Sequence, residues 1–252
     1  MIGLELAIRR KQFPAVGGAP PRLVYENFRL SVAPGAFVCV LGPSGCGKTT
    51  LLNMIAGLDR GYEGEIALMG RPEPRLGYAF QTPRLLPWRT VLENALLPLP
   101  AGPGPRQRVR ALLAEMGLET VADAYPSRLS LGMQRRAALA RAFAVEPDVL
   151  LLDEPFVSLD EPTAERLRDL LGGLLAAHPA TVLFVTHDSR EAVRLADRIV
   201  ALAGAPARIV CDMTVSLTAD ERRSQTAVDA FRARFISTNL GAWPIAAEVR
   251  RE

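Results

Sequence analysis

Residues 42 to 50 have the sequence Gly42-Pro43-Ser44-Gly45-Cys46-Gly47-Lys48-Thr49-Thr50, which fits the pattern G-x-x-x-x-G-K-[ST] of a phosphate-binding loop. The apolar run of residues 37 to 41 precedes this loop and predicts a buried strand, and residues 50 to 56 follow it with a helical pattern. The alternative is a glycine-rich turn that binds no ligand. Because strand, loop and helix follow in the order that the motif requires, we expect a phosphate site here.

The glycines of this loop suit close contact between the backbone and a ligand. Gly42, Gly45 and Gly47 let the chain turn sharply, so the N–H groups between Gly45 and Thr50 can point at one anion. The N-terminus of the following helix adds a partial positive charge at the same place. The backbone alone therefore predicts an anion site.

Two side chains complete the predicted phosphate site. Lys48 would reach the β- and γ-phosphates of a nucleotide as a mobile point charge, and the Thr49 hydroxyl would bind Mg²⁺. The chain has only two lysines, Lys11 and Lys48, and its other 28 basic residues are arginine. Lysine therefore stands where a compact ammonium fits and a planar guanidinium does not.

The composition limits the class of protein. With 252 residues, 49% of them hydrophobic, the chain is long enough for one large α/β domain or two small ones. The net charge is +3, but the arginines alternate with acids and form no basic run, so we expect no nucleic-acid partner. Cys39, Cys46 and Cys211 have neither disulfide-framework nor zinc-site spacing, which favours a reducing compartment.

The sequence predicts no segment that enters a membrane. Residues 1 to 10 carry charges within their apolar part and indicate a strand rather than a signal peptide. No apolar run approaches the roughly 18 residues that a membrane-spanning helix needs. If the protein works at a membrane, another chain must supply the membrane part.

Alternating patterns before the loop predict a small antiparallel layer. Residues 4 to 9 and residues 23 to 32 form its strands, and Phe13 lies at the end of the first. A lone aromatic at this place indicates either core packing or a surface that stacks on a base. Two short strands follow the first helix, at residues 65 to 68 and 76 to 80.

A helical insertion is predicted between residues 83 and 145. Its first helix covers residues 91 to 97, and residues 98 to 105 are rich in proline and predict a linker that is not helical. Its last helix runs from Leu131 to Ala144, with Ser130 as the N-cap.

Continuous apolar runs return after the insertion. Residues 149 to 152 and 181 to 186 predict strands buried on both faces, and helices between them predict a parallel sheet. Late strands are predicted at residues 198 to 202 and 207 to 213. Residues 216 to 252, which include an amphipathic segment at 220 to 235, form a tail whose role the sequence does not indicate.

Four residues follow the ends of predicted strands, which is where sheets of this kind bind their ligands: Gly42, Gln81, Asp153 and His187.

These strand ends suit nucleotide hydrolysis. Asp153 is placed to hold nucleotide-bound Mg²⁺, although an acidic pair can also cap a turn. Glu154 is a candidate general base for the attacking water. The Gln81 amide can bridge metal and water because it both donates and accepts hydrogen bonds. His187 is one of two histidines and, although a structural role is possible, its position favours the same site.

A second anion site is predicted at the start of the last inserted helix. Ser130 and Gly132 combine a hydroxyl, N–H groups and a helix dipole, although an ordinary N-cap has the same appearance. Because the chain already has one phosphate site, two half-sites suggest that two copies face each other head to tail and complete each other's nucleotide pockets.

Taken together, these motifs resemble the ATP-binding subunit of an ATP-binding cassette (ABC) transporter. The resemblance covers residues 4 to 213 and depends on an ordered set: GPSGCGKTT, Gln81, LSLGM at 129 to 133, LLLDEP at 150 to 155, Ser158-Leu159-Asp160 and His187. It implies a phosphate-loop NTPase fold of class α/β, with a mostly parallel sheet, an N-terminal antiparallel layer and the helical insertion. The ATPase domain would cover residues 1 to 215.

The resemblance also implies the role of each residue, with ATP and Mg²⁺ as cofactors. Residues 42 to 50 would bind the triphosphate, Thr49 and Asp153 the metal, and Glu154 would activate water. Further residues would contact the nucleotide, the metal or the second copy: Phe13 stacking on adenine, Gln81 lining the metal, Ser130, Gly132 and Met133 contacting ATP of the opposite subunit, Asp160 crossing the dimer interface and His187 contacting the γ-phosphate.

Residues 80 to 94, together with the Met133 that ends LSLGM, are similar to importers of the nitrate, sulfonate and taurine group. Such importers pair two ATPases, identical or related, with membrane permease subunits and a solute-binding protein, at the cytoplasmic face of the inner membrane. Residues 83 to 88 would then help to receive a permease helix. Leu131 departs from the family, which normally has glycine there, so this loop either tolerates leucine or needs a different partner ATPase.

Three other classes fit less well. Soluble cassette ATPases usually have two cassettes or a long coiled coil, and this chain has one cassette and no sustained heptads. A phosphate-loop kinase or GTPase needs no LSLGM loop, and a GTPase should have an Asn-Lys-x-Asp motif, which the sequence lacks. A subunit that does not hydrolyse ATP is disfavoured because Glu154 and His187 are both present.

Overall fold

The structure is a computed structural model that describes residues 1 to 239. It divides into two compact units. The first contains residues 1 to 2 and 70 to 182, and the second contains residues 3 to 69 and the described chain from 183 to 239. Residues 240 to 252, the end of the predicted tail, lie outside the described residues.

The strands lie close to the apolar runs that predicted them. Strands β3 and β7 have the predicted bounds, and β2, β4, β6 and β8 extend one to three residues beyond them. Strand β1 continues four residues past its predicted end, β5 ends one residue early and β9 is shifted by one residue. The strands are β1 Gly3–Phe13, β2 Arg22–Val32, β3 Phe37–Leu41, β4 Tyr62–Met69, β5 Leu76–Ala79, β6 Val149–Asp153, β7 Thr181–Thr186, β8 Arg198–Ala203 and β9 Arg208–Thr214.

The helices are α1 Lys48–Ile55, α2 Val91–Leu96, α3 Pro103–Glu115, α4 Leu131–Ala144, α5 Glu161–Ala177, α6 Ser189–Leu195, α7 Ala219–Arg223 and α8 Gln225–Asn239. Two short 3-10 helices precede α4, at Glu119–Val121 and Pro126–Arg128. None of the helices among residues 1 to 239 is both long and apolar enough to cross a membrane.

The second unit contains the predicted antiparallel layer. Strand β1 pairs with β2 on one side and β4 on the other, and its alternate residues Leu4, Leu6 and Ile8 are buried. The alternation of apolar and polar residues along these strands predicts such a sheet, with one face buried.

The second unit also carries the strand that leads to the phosphate loop. Strand β3 pairs in parallel with β8, which pairs antiparallel with β9, and residues 38 to 41 of β3 are fully buried. The Gly42 N–H donates to the Thr186 carbonyl at 3.3 Å, so the end of β7 lies beside the end of β3.

In the first unit, β5 and β6 pair in parallel. Between them the described chain contains helices and loops but no strand. Helix α4 packs so close to β5 that a Cβ atom at Gly77 would lie 2.4 Å from the Ala142 carbonyl oxygen. Helix α4 and its N-cap Ser130 lie where the sequence predicts them. The predicted α/β class with parallel and antiparallel strands is confirmed.

One local prediction is wrong. Residues 98 to 105 are not all linker, because α3 begins at Pro103 and includes Pro105. Proline is tolerated in the first helical turn, where the N–H groups have no partner within the helix. The amphipathic segment at 220 to 235 lies in two helices, and Ser224 separates α7 from α8.

The described part of the tail packs within the second unit. Val228, Phe231 and Phe235 of α8 are buried. The Arg232 Nε donates to the Ser189 Oγ of α6 at 2.9 Å. Residues 219 to 235 therefore pack against the helix that follows His187.

Candidate functional site

The phosphate loop joins β3 to α1 and depends on its glycines. Gly45 and Gly47 have φ angles of 77° and 113°, a region that favours glycine. A Cβ atom at Gly47 would lie 2.6 Å from the Val24 Cγ1, and one at Gly42 would lie 2.9 Å from the Cys46 Sγ. The loop therefore has the sharp turn that the sequence predicts, and at Gly42 and Gly47 it leaves no room for a side chain.

Lys48 lies inside the curve of this loop. Its side chain is only 4% exposed, and Nζ donates to the carbonyls of Gly42 at 2.7 Å and Pro43 at 3.1 Å. Thr49, the next residue of α1, is exposed. The ammonium and the helix N-terminus thus place positive charge at one loop, which is the arrangement that holds a phosphate chain.

Strand β2 fixes the loop from one side. The Arg22 guanidinium donates to the Gly45 carbonyl, and the Tyr25 hydroxyl donates to the Gly47 carbonyl at 3.0 Å. Burial raises the pKa of the Tyr25 phenol, which therefore stays protonated and can donate. Neither residue is predictable from the sequence, because a strand pattern shows which face is buried but not what lies beside it.

Cys46 lies in the same loop and is half-buried. Burial raises the pKa of its thiol, and the positive charges of Lys48 and Arg22 offset only part of this effect. The thiol is therefore less reactive than an exposed cysteine at neutral pH.

His187 follows β7 in the same unit as the loop, and its side chain is exposed. The residues on both sides of it are anchored. The Thr186 hydroxyl donates to the Glu191 carboxylate at 2.6 Å and accepts from the Asp188 N–H at 3.0 Å. Asp188 in turn caps α6 by accepting from the Arg190 N–H at 2.7 Å. The turn that carries His187 is therefore held at a defined place beyond β7.

Phe13 ends β1, and its ring is 40% exposed. It lies directly opposite Arg22, the residue that bonds to the phosphate loop. An aromatic ring with an accessible face is the group that a nucleotide base stacks on.

The first unit brings Gln81, Asp153 and Glu154 to the ends of β5 and β6. The Gln81 Nε2 donates to the Glu154 Oε2 at 3.3 Å. Asp153 is buried and bonds to Tyr78; burial first, and then the charge of Asp153, raises the pKa of the Tyr78 phenol. Glu154 has a φ angle of 43°, a conformation that costs free energy in a residue other than glycine and is common at functional sites.

Arg135 of α4 holds the segment that follows Glu154. Its Nη1 donates to the carbonyls of Glu154 at 3.3 Å and Pro155 at 2.8 Å, and its Nη2 to the carbonyl of Val157 at 2.5 Å. Arg135 is buried, whereas helical arginines are usually exposed, so the sequence pattern does not predict its contacts. The only indication of a role in the site is its position in the helix that begins within LSLGM.

The start of α4 has the predicted cap. Ser130 accepts from the Met133 N–H at 3.3 Å. Leu131, at the position where the family normally has glycine, is 41% exposed, so its side chain does not enter the core. The Gln134 amide donates to the Leu129 carbonyl at 3.1 Å and fixes the loop that leads to Ser130.

Gly132, two residues after Ser130, lies close to the start of α5. A Cβ atom at Gly132 would lie 2.8 Å from the Thr163 Cγ2. Thr163 donates to both carboxylate oxygens of Asp160, its N–H at 3.2 Å and its hydroxyl at 2.7 Å. The glycine therefore lets the LSLGM loop approach the turn that Asp160 caps.

Residues 83 to 90 form an anchored segment with one large exposed apolar side chain. Arg141 donates to the carbonyls of Pro83 and Arg84, both at 2.8 Å. The buried Asn94 accepts from the Leu86 N–H at 2.7 Å and donates to three carbonyls of the segment. Trp88 nevertheless remains 68% exposed.

The residue types that are predicted to hold the metal suit a magnesium ion. Among residues 1 to 239 no three acidic, histidine or cysteine side chains cluster as metal ligands. Mg²⁺ does not need such a cluster, because it usually takes one or two carboxylates and completes its shell with water and substrate phosphates. Asp153 supplies a carboxylate, Thr49 a hydroxyl and Gln81 an amide oxygen, all of them ligands for a hard cation.

Comparisons with known proteins agree with this geometry. Residues 25 to 157 match a family model described as ABC transporter. The chain is 42% identical over 237 residues to the aliphatic sulfonates import ATP-binding protein SsuB 2 of Burkholderia cenocepacia (strain HI2424), covering 92% of this chain and 86% of that protein. It is 39% identical over 241 residues to the protein SsuB of Bacillus subtilis (strain 168), which has the same description, covering 94% of each.

A solved structure shows the same fold. The chain is similar to the dimeric post-hydrolysis state of the ATP-binding cassette MJ0796 bound to ADP and Pi. The TM-score is 0.73 at 31% identity, and the match covers 85% of this chain and all of that one. With more than half of its length matched by the family model, this chain belongs to the ABC transporter family.

Proposed function

We propose that this chain is the ATP-hydrolysing subunit that powers a membrane importer for aliphatic sulfonates. As a member of the ABC family it is an ATPase. The proposal rests mainly on the position of Lys48, whose ammonium is buried inside a glycine-rich loop at a helix N-terminus. The relatives named above are import proteins for aliphatic sulfonates, which favours sulfonate over nitrate among the anions that the sequence suggested.

In this proposal the phosphate loop binds the triphosphate of ATP. The N–H groups from Gly45 to Thr50 would surround the phosphates, and Pro43 and Ser44 would line the same loop. Lys48 would exchange its bonds to the loop carbonyls for the β- and γ-phosphates. Phe13 would stack on the adenine, which its exposed ring face permits.

Magnesium would be held by Thr49, Asp153 and Gln81, and it would neutralise charge that develops on the phosphates. Glu154 would accept a proton from the attacking water. The hydrogen bond from Gln81 supports this role, because it orients the carboxylate. His187 would contact the γ-phosphate from its anchored turn.

Two copies would assemble head to tail. Ser130, Gly132 and Met133 of one copy would contact ATP bound to the phosphate loop of the other, with Asp160 near the same interface. The close approach of Gly132 to Thr163 supports this arrangement, because it connects the LSLGM loop to the turn of Asp160. A related ATPase could replace the second copy.

The ATPase would act at the cytoplasmic face of the inner membrane, bound to permease subunits, with a solute-binding protein as an indirect partner. Residues 83 to 88 would help to receive a permease helix. Their anchoring by Arg141 and Asn94 supports this role, since the segment presents Trp88 to solvent on a fixed backbone.

We also propose that the chain consists of an ATPase domain of residues 1 to 215, with its insertion at 83 to 145, and a tail of residues 216 to 252.

Growth assays test the transported solute. A strain that lacks this chain should fail to grow when an alkanesulfonate is the only sulfur source, but should grow on sulfate. The intact gene should restore growth, and the Lys48→Ala variant should not. A strain that grows normally on the alkanesulfonate but fails with nitrate as its only nitrogen source would show that the solute assignment is wrong.

A further inference from the structure

Phe13 does not stand alone at the end of β1. Lys11 lies two residues earlier in the strand, and its Nζ is 4.4 Å from the centroid of the Phe13 ring. This distance is within the range of a cation–π contact. One ring face therefore touches an ammonium, and the ring as a whole remains 40% exposed.

Lys11 is an unusual cation, because it is only 3% exposed. A buried ammonium is costly unless it is paired and hydrogen-bonded. Here Nζ lies 2.7 Å from both carboxylate oxygens of Asp59 and 3.0 Å from the Gly61 carbonyl. The Gly61 N–H donates back to Asp59 at 3.0 Å. The ammonium thus has a fixed position beneath the ring.

These contacts connect Phe13 both to the phosphate loop and to the segment that follows helix α1. Asp59 and Gly61 follow helix α1, which begins at the phosphate loop. At the other end, Arg22 lies opposite Phe13 in the strand pair and donates to the Gly45 carbonyl. The strand end that carries the ring is therefore tied to the loop by Arg22 and to the segment after α1 by Lys11.

We propose that Lys11 is a positioning residue for nucleotide recognition, which holds one face of the Phe13 ring so that its other face stacks on the adenine base. A ring that is already fixed loses less conformational freedom when the base binds, so its affinity for the base is higher. This inference rests on the proposed stacking role of Phe13. Lys11 itself need not touch the nucleotide.

A double-mutant cycle tests this role in the full-length chain. The affinities of ATP and of inorganic tripolyphosphate, which has no base, are measured for the wild type, Phe13→Ala, Lys11→Met and the double variant. Phe13→Ala should weaken ATP binding at least about 5-fold, as expected for the loss of one base stack. Lys11→Met should weaken it about 2- to 5-fold, the size of a cation–π contact. Lys11→Met should cause no further loss when Phe13 is already alanine, and tripolyphosphate affinity should not change in any variant.

Arg9→Met is the matched control, since Arg9 is an exposed cation of the same strand that pairs only with the exposed Glu63 in the described contacts. It should bind ATP as the wild type does. If Lys11→Met is too unstable to assay, Lys11→Gln replaces it, because its amide can still donate to Asp59 without a charge beneath the ring. The same loss of ATP affinity is expected.

The possible failures are distinguishable. If Phe13→Ala binds ATP normally, the stacking role of Phe13 is wrong and the inference falls with it. If Phe13→Ala weakens ATP binding but Lys11→Met and Lys11→Gln do not, only the inference is wrong. An equal loss of ATP and tripolyphosphate affinity in both backgrounds would also overturn it, because Lys11 would then act on the phosphate loop or the fold.

Discussion

The Gln81 Nε2 donates a hydrogen bond to the Glu154 Oε2 across 3.3 Å, and these two residues follow the parallel strands β5 and β6. The bond uses one carboxylate oxygen and orients the other. Glu154 also has a φ angle of 43°, so the chain holds this carboxylate in a backbone conformation that glutamate rarely adopts. Both observations support Glu154 as the group that activates water.

The Glu154→Gln variant tests this role. It should bind ATP with wild-type affinity and hydrolyse it about 100-fold more slowly or worse, because the amide cannot accept the water proton. Steady-state phosphate release and ATP titration measure the two quantities. Glu165→Gln, a carboxylate change on the surface of α5, is the control and should leave turnover unchanged. Wild-type turnover in Glu154→Gln would mean that the base lies elsewhere.

Arg135 is predicted to position the segment that begins at Glu154. Replacing it with methionine removes hydrogen bonds to three carbonyls and should lower the free energy of unfolding by roughly 3 kcal/mol. The folded fraction should also have a lower kcat with unchanged ATP affinity. Chemical denaturation and turnover per folded molecule measure these effects.

Arg136→Met is the matched control, because the neighbouring Arg136 donates instead to the Met116 carbonyl at 2.8 Å. It should lower stability without changing kcat per folded molecule. Equal kcat values in the two variants would show that Arg135 serves the fold only.

Gly132 should not tolerate a methyl group. In Gly132→Ala the new Cβ would lie 2.8 Å from the Thr163 Cγ2, so we expect a loss of about 1 to 3 kcal/mol in unfolding free energy and weaker ATP-dependent dimerisation. Thr163→Ser removes that methyl and keeps the hydroxyl that bonds to Asp160. Adding Thr163→Ser should therefore restore much of the loss. No rescue in thermal melts of the double variant would mean that the contact does not limit this position.

Alkylation of Cys46 should depend on pH and on ATP. Because burial raises the pKa of this thiol, the reactive thiolate is scarcer at neutral pH than in an exposed cysteine, and labelling should speed up as the pH rises. Labelling should block ATP binding, and bound ATP should protect the thiol. Mass spectrometry separates Cys46 from Cys39, whose pKa is also raised by burial, and from Cys211. Labelling that proceeds equally with and without ATP would contradict the position of Cys46 in the nucleotide site.

The sequence predicted the parts of the molecule that depend on local pattern. Buried strands appear as apolar runs, so the positions of Gln81 and Asp153 at strand ends follow from pattern alone. The Ser130 cap follows from the preference of serine for helix N-termini.

The contacts that fix the site were not predictable in this way. Nothing in the pattern distinguishes the buried Arg135 from the exposed arginines, or shows that Lys11 lies beneath Phe13. Both are long side chains whose partners are distant in sequence, and such pairings depend on the tertiary fold. The helix that begins at Pro103 was missed because proline breaks a helix interior but fits its first turn.

Size-exclusion chromatography of Glu154→Gln, with and without ATP and Mg²⁺, tests whether ATP joins two copies of this chain. If two copies complete each other's nucleotide pockets, ATP should convert the monomer to a dimer, and Lys48→Ala in the same background should abolish the shift. A parallel run with Leu131→Gly shows whether leucine weakens the interface. If Glu154→Gln binds ATP but remains a monomer with either residue at position 131, the head-to-tail arrangement of this chain with itself is contradicted.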